Sequence, residues 1–156
     1  MTTDVAQVRC HPHDPRAKLP CRMTVGSAGW DLEACLAAPL ELPPGEWRAV
    51  PTGLILEIPP GFEGVIRPRS GLAFRHGVGV INSPGTIDSD YRGEVRILLM
   101  NWGREPFLVN HGERVAQIVF QAVPTVAVTW GVVNPETARG TGGFGHTGTG
   151  AAKETT

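Results

Sequence analysis

The sequence predicts an all-β fold, a sandwich or barrel of short strands in one domain, and three observations predict it. First, 20 glycines and 14 prolines are spread along the 156 residues rather than gathered in one block. They mark turns at Pro43-Pro44-Gly45, Pro51-Thr52-Gly53, Pro59-Pro60-Gly61, Ser83-Pro84-Gly85 and Asn101-Trp102-Gly103, and these two residues are the strongest local punctuators of structure. Second, the runs between the turns have strand character, at 47–50, 54–58, 64–67, 78–81, 94–101, 114–120 and 125–130. The runs from Glu94 and from Thr125 show partial or full alternation of apolar and polar side chains, the period of a half-buried strand. Third, no segment carries a sustained helical stripe flanked by caps. Short strands with turn signals about every ten residues build sandwiches and barrels.

Taken in chain order, the first element is ambiguous. Ser27-Ala28-Gly29-Trp30-Asp31-Leu32-Glu33-Ala34-Cys35-Leu36-Ala37-Ala38 reads as a helix by propensity with Ser27 as N-cap, while Gly29 and Trp30 weaken that reading. The central strands follow as above, interrupted by a helix-like stretch at 72–77. Residues 80–94 read as a hairpin: strand, turn at Ser83-Pro84-Gly85, then Asp88 and Asp90 around a serine. Residues 114–120 form a mostly apolar strand carrying one amide, Gln117. From Arg139 onward the chain is too glycine-rich to pack a core. This divides the chain into a β domain over 1–138 and a C-terminal arm over 139–156.

Composition narrows the function. Hydrophobic residues at 41% and charged residues at 19% exclude global disorder. A net charge of −1 provides no overall field to hold a long nucleic acid, though a local donor cluster suffices for a small phosphorylated ligand. No apolar run approaches the ~18 residues of a membrane span. The polar N-terminus lacks the apolar stretch of a signal peptide, so a cytoplasmic location is expected. Three cysteines, Cys10, Cys21 and Cys35, are an odd number without Cys-x-x-Cys spacing, which argues against a disulfide framework or a zinc site.

Four segments carry residues suited to chemistry. Gly140-Thr141-Gly142-Gly143-Phe144-Gly145 matches a dinucleotide-binding pattern, but the context fails, since no helix can follow it to meet a phosphate. It is either a solvated tail or an arm whose bare N–H groups wrap anionic oxygens, with Arg139 and His146 adding charge. Arg67-Pro68-Arg69-Ser70-Gly71 is either a polar turn or a compact anion site of guanidinium, hydroxyl and glycine N–H donors. In the 80–94 segment, Asp88 and Asp90 at strand spacing share a face, so at least one is solvated, paired or metal-linked. Tyr91 is the sole tyrosine, and Asn82 has the paired donor and acceptor that read a planar base edge. Gln117 is either satisfied by neighbouring backbone or reaches into a site.

These segments, with Ala28-Gly29-Trp30-Asp31-Leu32, stand in the order and spacing of the five motifs of trimeric deoxyuridine triphosphatases (dUTPases), and the sequence resembles that family from about Gly26 to Gly148. The resemblance rests on Pro68-Arg69-Ser70-Gly71-Leu72, Gly85-Thr86-Ile87-Asp88-Ser89-Asp90-Tyr91-Arg92-Gly93 and Arg139-Gly140-Thr141-Gly142-Gly143-Phe144-Gly145 above all. It implies a jelly-roll-like β fold with one short helix, a strand rather than a helix at 29–34, and a homotrimer with shared active sites. It also implies hydrolysis of dUTP to dUMP and pyrophosphate with Mg²⁺. By this resemblance Asp88 matches the carboxylate that orients and deprotonates water, and Tyr91 lies against the deoxyribose. Asn82, with the hairpin backbone at Thr86 and Ile87, matches the uracil-reading strand. Arg69, Ser70, Gly71 and Gln117 match phosphate-binding positions, and Asp31 matches an acid near the metal's water shell. Arg139, Gly143, Phe144, Gly145, His146 and Thr147 match the arm that closes over the triphosphate, with Phe144 stacked on uracil. A deaminase acting on dCTP, or a dUTP-binding regulatory trimer without catalysis, are the competing expectations. Asp88 standing where a deaminase needs a glutamate favours attack on phosphate.

Overall fold

A computed structural model describes residues 5–146 and Gly150. Eleven elements follow in chain order: β1 (Arg9–Pro12), β2 (Trp30–Glu33), β3 (Leu40–Leu42), β4 (Trp47–Glu57), β5 (Phe62–Arg67), α1 (Ser70–His76), β6 (Val78–Val80), β7 (Gly85–Ile87), β8 (Glu94–Asn101), β9 (Phe107–Val109) and β10 (Arg114–Ala122). They form two four-stranded antiparallel sheets, ordered β1-β4-β8-β6 and β2-β10-β5-β7, and a β3-β9 ribbon. The architecture is the expected all-β, jelly-roll-like one with a single short helix.

Period-two patterning sets the core. In β8, Val95, Ile97, Leu99 and Asn101 are buried and alternate with more open residues. Their apolar members share one buried cluster with Val50 and Leu56 of the same sheet and with Leu32, Ile66, Val115 and Ile118 of the other. Among the described residues, the buried side-chain polar groups are all bonded. Asn101 donates to the Leu42 and Glu105 carbonyls at 2.9 and 2.8 Å and accepts from Gly103 N–H at 2.8 Å. Thr52 donates to the Val95 carbonyl at 2.6 Å. Each such bond avoids the desolvation penalty of an orphaned group.

Three local expectations need correction, and one ambiguity is settled. The turn expected at Pro51-Thr52-Gly53 lies inside one continuous strand, where the β4–β8 register shifts between Pro51 and Ile55. Gly53 adopts φ +67° there, a bulge geometry that glycine tolerates without strain. The hairpin expected over 80–94 does not form, because β6 pairs with β8 and β7 pairs with β5. Residues 81–84 instead carry the chain from one sheet to the other. The strand expected at 125–130 is absent, since no strand pairs with these residues. Alternation chooses faces but not a hydrogen-bonding partner. Helix propensity at 27–38 is overridden: β2 pairs with β10 and buries Leu32 to 1% exposure. Strands β1, β3, β7 and β9, of three or four residues each, carry too little pattern to be read from sequence.

The described chain divides into two compact units, Met1–Thr125 and Val126–Thr156. No helix among the described residues is long and apolar enough to cross a membrane. Cys10, Cys21 and Cys35 are free thiols, and burial raises the pKa of Cys10 and Cys35.

Candidate functional site

The anion-type motif sits where β5 ends and α1 begins. Arg69 is the extended residue before the helix, at φ −91° and ψ 124°, and Ser70 and Gly71 open the first turn. Strand register brings Asp31 and Gln117 to the same place: Gln117 stands opposite Arg67 on one side and Asp31 on the other. The Gln117 amide donates to the Pro68 carbonyl at 3.0 Å, tying the turn before Arg69. A methyl group on Gly29 would collide with that amide, so the glycine is required by close approach. Asp31 uses both carboxylate oxygens on guanidinium groups, accepting from Arg69 Nε at 3.1 Å and from Arg114 Nη1 at 3.0 Å. Arg69 Nη1 also donates to the Arg114 carbonyl at 3.0 Å. Sequence reading missed Arg114; its signal was only an arginine at the start of an apolar strand.

A second group lies on residues 82–91. Asn82 is exposed and its amide folds over Gly85, where a side chain would meet Nδ2 at 3.1 Å. Thr86 and Ile87 lie in β7. Asp88 follows the strand with an exposed side chain, and its carbonyl accepts from the Tyr91 N–H at 3.2 Å, closing a tight turn. The Tyr91 hydroxyl donates to the Glu94 carbonyl at 3.1 Å, and its ring lies over Gly93. Arg92 clamps the same turn by donating to the Ser89 and Tyr91 carbonyls at 2.7 and 2.9 Å. Asp88 and Asp90 are both exposed, which resolves the like-charge problem through solvation. Arg92 and Gly93, present in the motif but given no role by the sequence, are the residues that shape this turn.

The third group is the arm. Arg139 Nε donates to the Gly142 carbonyl at 2.8 Å, and His146 N–H donates to the Gly143 carbonyl at 3.0 Å. Phe144 is fully exposed with φ 49°, and Gly145 follows at φ 84°. Thr147 lies outside the described residues.

The first two groups occupy opposite corners of one sheet. In the order β2-β10-β5-β7, Asp31 sits on the first strand and Asp88 follows the last. Three strand spacings separate those strands, about 14 Å. Register adds to this: Ile87 stands opposite Gly64, whereas Arg69 leaves β5 beyond Arg67. Among the described residues no three His, Cys, Asp or Glu side chains converge as metal ligands. Asp31 accepts one guanidinium bond on each oxygen. A carboxylate has about four lone-pair sites, so the donor set fits contact with a metal's water but not a protein-built cage.

A family model described as dUTPase matches residues 15–148, a span that contains all three groups. The chain belongs to the dUTPase family. It is 56% identical over 140 residues to a deoxyuridine 5'-triphosphate nucleotidohydrolase of Mesorhizobium japonicum, covering 88% of this chain and 87% of that protein. It is 46% identical over 153 residues to one from Maricaulis maris, covering 96% and 99%. Its fold is similar to that of the Staphylococcus bacteriophage 80alpha dUTPase with dUPNHPP, at a TM-score of 0.82 and 22% identity over 92% of this chain and 99% of that one. It is also similar to a mutant dUTPase of S. aureus phage phi11 that coordinates a structural Mg(II) ion, at a TM-score of 0.72 and 21% identity over 80% and 95%.

Proposed function

We propose that the chain hydrolyses dUTP to dUMP and pyrophosphate, with Asp88 as the group that orients water and takes its proton. The observation that carries this reading is the Asp88–Tyr91 turn. It ties a solvent-facing carboxylate, by one backbone bond of 3.2 Å, to the only phenol ring in the chain. Water attacks the α-phosphorus, the bond to the bridging oxygen breaks, and pyrophosphate leaves. A positioned general base contributes about 10²–10⁴-fold. Alignment, and donors aimed at charge on the leaving pyrophosphate, contribute more; here these are Arg69, the Ser70 hydroxyl, the Gly71 N–H, Gln117 and Arg139. Mg²⁺, when bound with substrate, would neutralise phosphate charge, and Asp31 is the residue that would meet its water shell.

Discrimination is by exclusion. The backbone at Thr86 and Ile87, with Asn82, reads the uracil edge, and the Tyr91 ring leaves no room for a ribose 2′-hydroxyl. A clash is needed because favourable contacts alone separate a methyl difference by only ~1–3 kcal/mol. The arm from Arg139 through Gly143, Phe144, Gly145, His146 and Thr147 closes on the triphosphate that the β domain of 1–138 receives. Phe144 stacks on the base, and closure excludes water.

The working molecule is a homotrimer with shared active sites. Asp88 and the Asp31–Arg69–Gln117 group lie at opposite corners of one sheet, so one chain does not offer both to a single phosphate chain; a second copy completes the site. Three free thiols suit a reducing compartment such as the cytoplasm.

The test incubates the protein and its Asp88→Asn variant with dUTP and with dCTP, and measures pyrophosphate and ammonia. Pyrophosphate from dUTP is expected, without ammonia from dCTP. The variant should keep nucleotide affinity and lose turnover by about 10²–10⁴-fold. Near-wild-type pyrophosphate release by the variant removes Asp88 from the mechanism, and ammonia from dCTP replaces the reading with a deaminase.

A further inference from the structure

We propose that Arg114 is a positioning residue for Arg69, acting through Asp31, so that Arg69 meets the triphosphate with one fixed edge. The proposal deepens the dUTP reading and rests on it. Three bonds close a ring: Arg69 Nε to Asp31 Oδ1 at 3.1 Å, Arg114 Nη1 to Asp31 Oδ2 at 3.0 Å, and Arg69 Nη1 to the Arg114 carbonyl at 3.0 Å. Arg114 therefore holds Arg69 twice, once through its own backbone and once through the shared carboxylate.

The backbone half depends on a bulge. Register between β10 and β2 slips by one residue between Arg114 and Ala116, and such bulges re-aim groups beside functional sites. Here the Arg114 carbonyl receives the Arg69 guanidinium. Two of the five guanidinium N–H donors of Arg69 lie in the ring, leaving three for a ligand. Asp31 at 13% exposure and Arg69 at 24% are sheltered, while Arg114 at 37% is partly open, so solvent screens the Asp31–Arg69 half of the ring more weakly. Charge gives the ring a direction. Two guanidinium cations share one carboxylate, so the cluster keeps an excess positive charge beside Ser70 and Gly71. Asp31 lets the two cations stand together without cancelling both. An arginine is long and rotamer-rich, and a fork held in place loses less freedom on binding a planar anion. Asp31 is thus a bridge between arginines as well as an acid near a metal's water.

Steady-state kinetics on the assembled protein with Mg²⁺ would compare Arg114→Gln, Arg114→Lys, Arg69→Gln and the double variant Arg69→Gln/Arg114→Gln. Thermal melting and sedimentation check folding and assembly, and binding of inorganic pyrophosphate gives a readout without turnover. Arg114→Gln should raise KM for dUTP and Kd for pyrophosphate about tenfold, with kcat changed less than about threefold. Arg114→Lys, which keeps one donor and the charge, should recover most of the loss, and it carries the test if the glutamine variant does not fold. Once Arg69 is gone, removing Arg114 should change either constant by less than about twofold, because residues acting as a unit are not additive. Effects that multiply in the double variant overturn the proposal, as does an unchanged Kd for pyrophosphate in Arg114→Gln. Failure of the unmodified protein to hydrolyse dUTP strikes the parent reading instead, and the pyrophosphate arm still decides the ring.

Discussion

At Gly29 the missing side chain is itself a functional feature, because the Gln117 amide occupies the space where a Cβ would stand. That amide holds the Pro68 carbonyl at 3.0 Å and so sets the start of the Arg69-Ser70-Gly71 turn. Gly29→Ala should displace Gln117 and lower kcat/KM for dUTP about tenfold. The melting temperature should fall by only a few degrees, since one net hydrogen bond is worth about 0.5–1.5 kcal/mol. Kinetics and melting on the same sample check the split; unchanged kcat/KM would show that the amide does not govern the turn. The sequence named Gln117 and Asp31 as residues of interest but did not say what they touch. Arg114 escaped notice because its partner Asp31 is 83 residues away in the chain.

Elements are joined by a few polar clamps as well as by ladders. Residues 13–17 are fastened to β4 at its bulge, where His13 and Asp14 N–H groups donate to the Gly53 carbonyl at 2.8 and 3.2 Å. Arg16 grips the Asp14 carboxylate through Nη2 at 2.7 Å and Nε at 3.0 Å and reaches the Leu36 carbonyl at 3.1 Å. The side-chain hydrogen bonds from Arg16 hold the Asp14 carboxyl well below the usual carboxylate range. A carboxylate with a lowered folded-state pKa stabilises the fold above its unfolded value of about 3.9 and loses that contribution as pH falls below it. Asp14→Asn should therefore melt lower than the parent at pH 7, and the gap should narrow progressively as pH falls from about 5 toward 2. Melting curves over that range check it, and a gap that widens toward acid would refute it. Among the strands, β8 is legible with its bounds because Glu94–Ile97 alternate and an apolar run carries on to the turn at Asn101-Trp102-Gly103. The 47–57 strand was read as two, because Pro51 and Gly53 look like a turn unless the pairing with β8 is known.

For the whole molecule, the proposed trimer would make assembly part of catalysis, because the two residue groups stand at opposite corners of one sheet. Val126, Val128, Trp130, Val132 and Val133 are all exposed, an apolar stretch that the proposed trimer would cover. Its alternating pattern predicts a strand, and among the described residues it has no strand partner. Sedimentation should therefore find a particle of about three times the 16.7 kDa chain mass. Replacing Val128 and Trp130 by Asp should dissociate it and abolish dUTP turnover together. A monomer with full activity would refute the shared-site arrangement.

By itself the sequence determined the fold class and the family and marked the motifs proposed for chemistry, because each of these is written in local pattern or in motif order. Tertiary structure alone decided that β6 joins β8 while β7 joins β5, that Arg114 closes a ring through Asp31, and that Asp88 and Arg69 stand apart. Each of these joins residues distant along the chain. A period of two chooses which face a side chain takes, but only the folded sheets choose its neighbour.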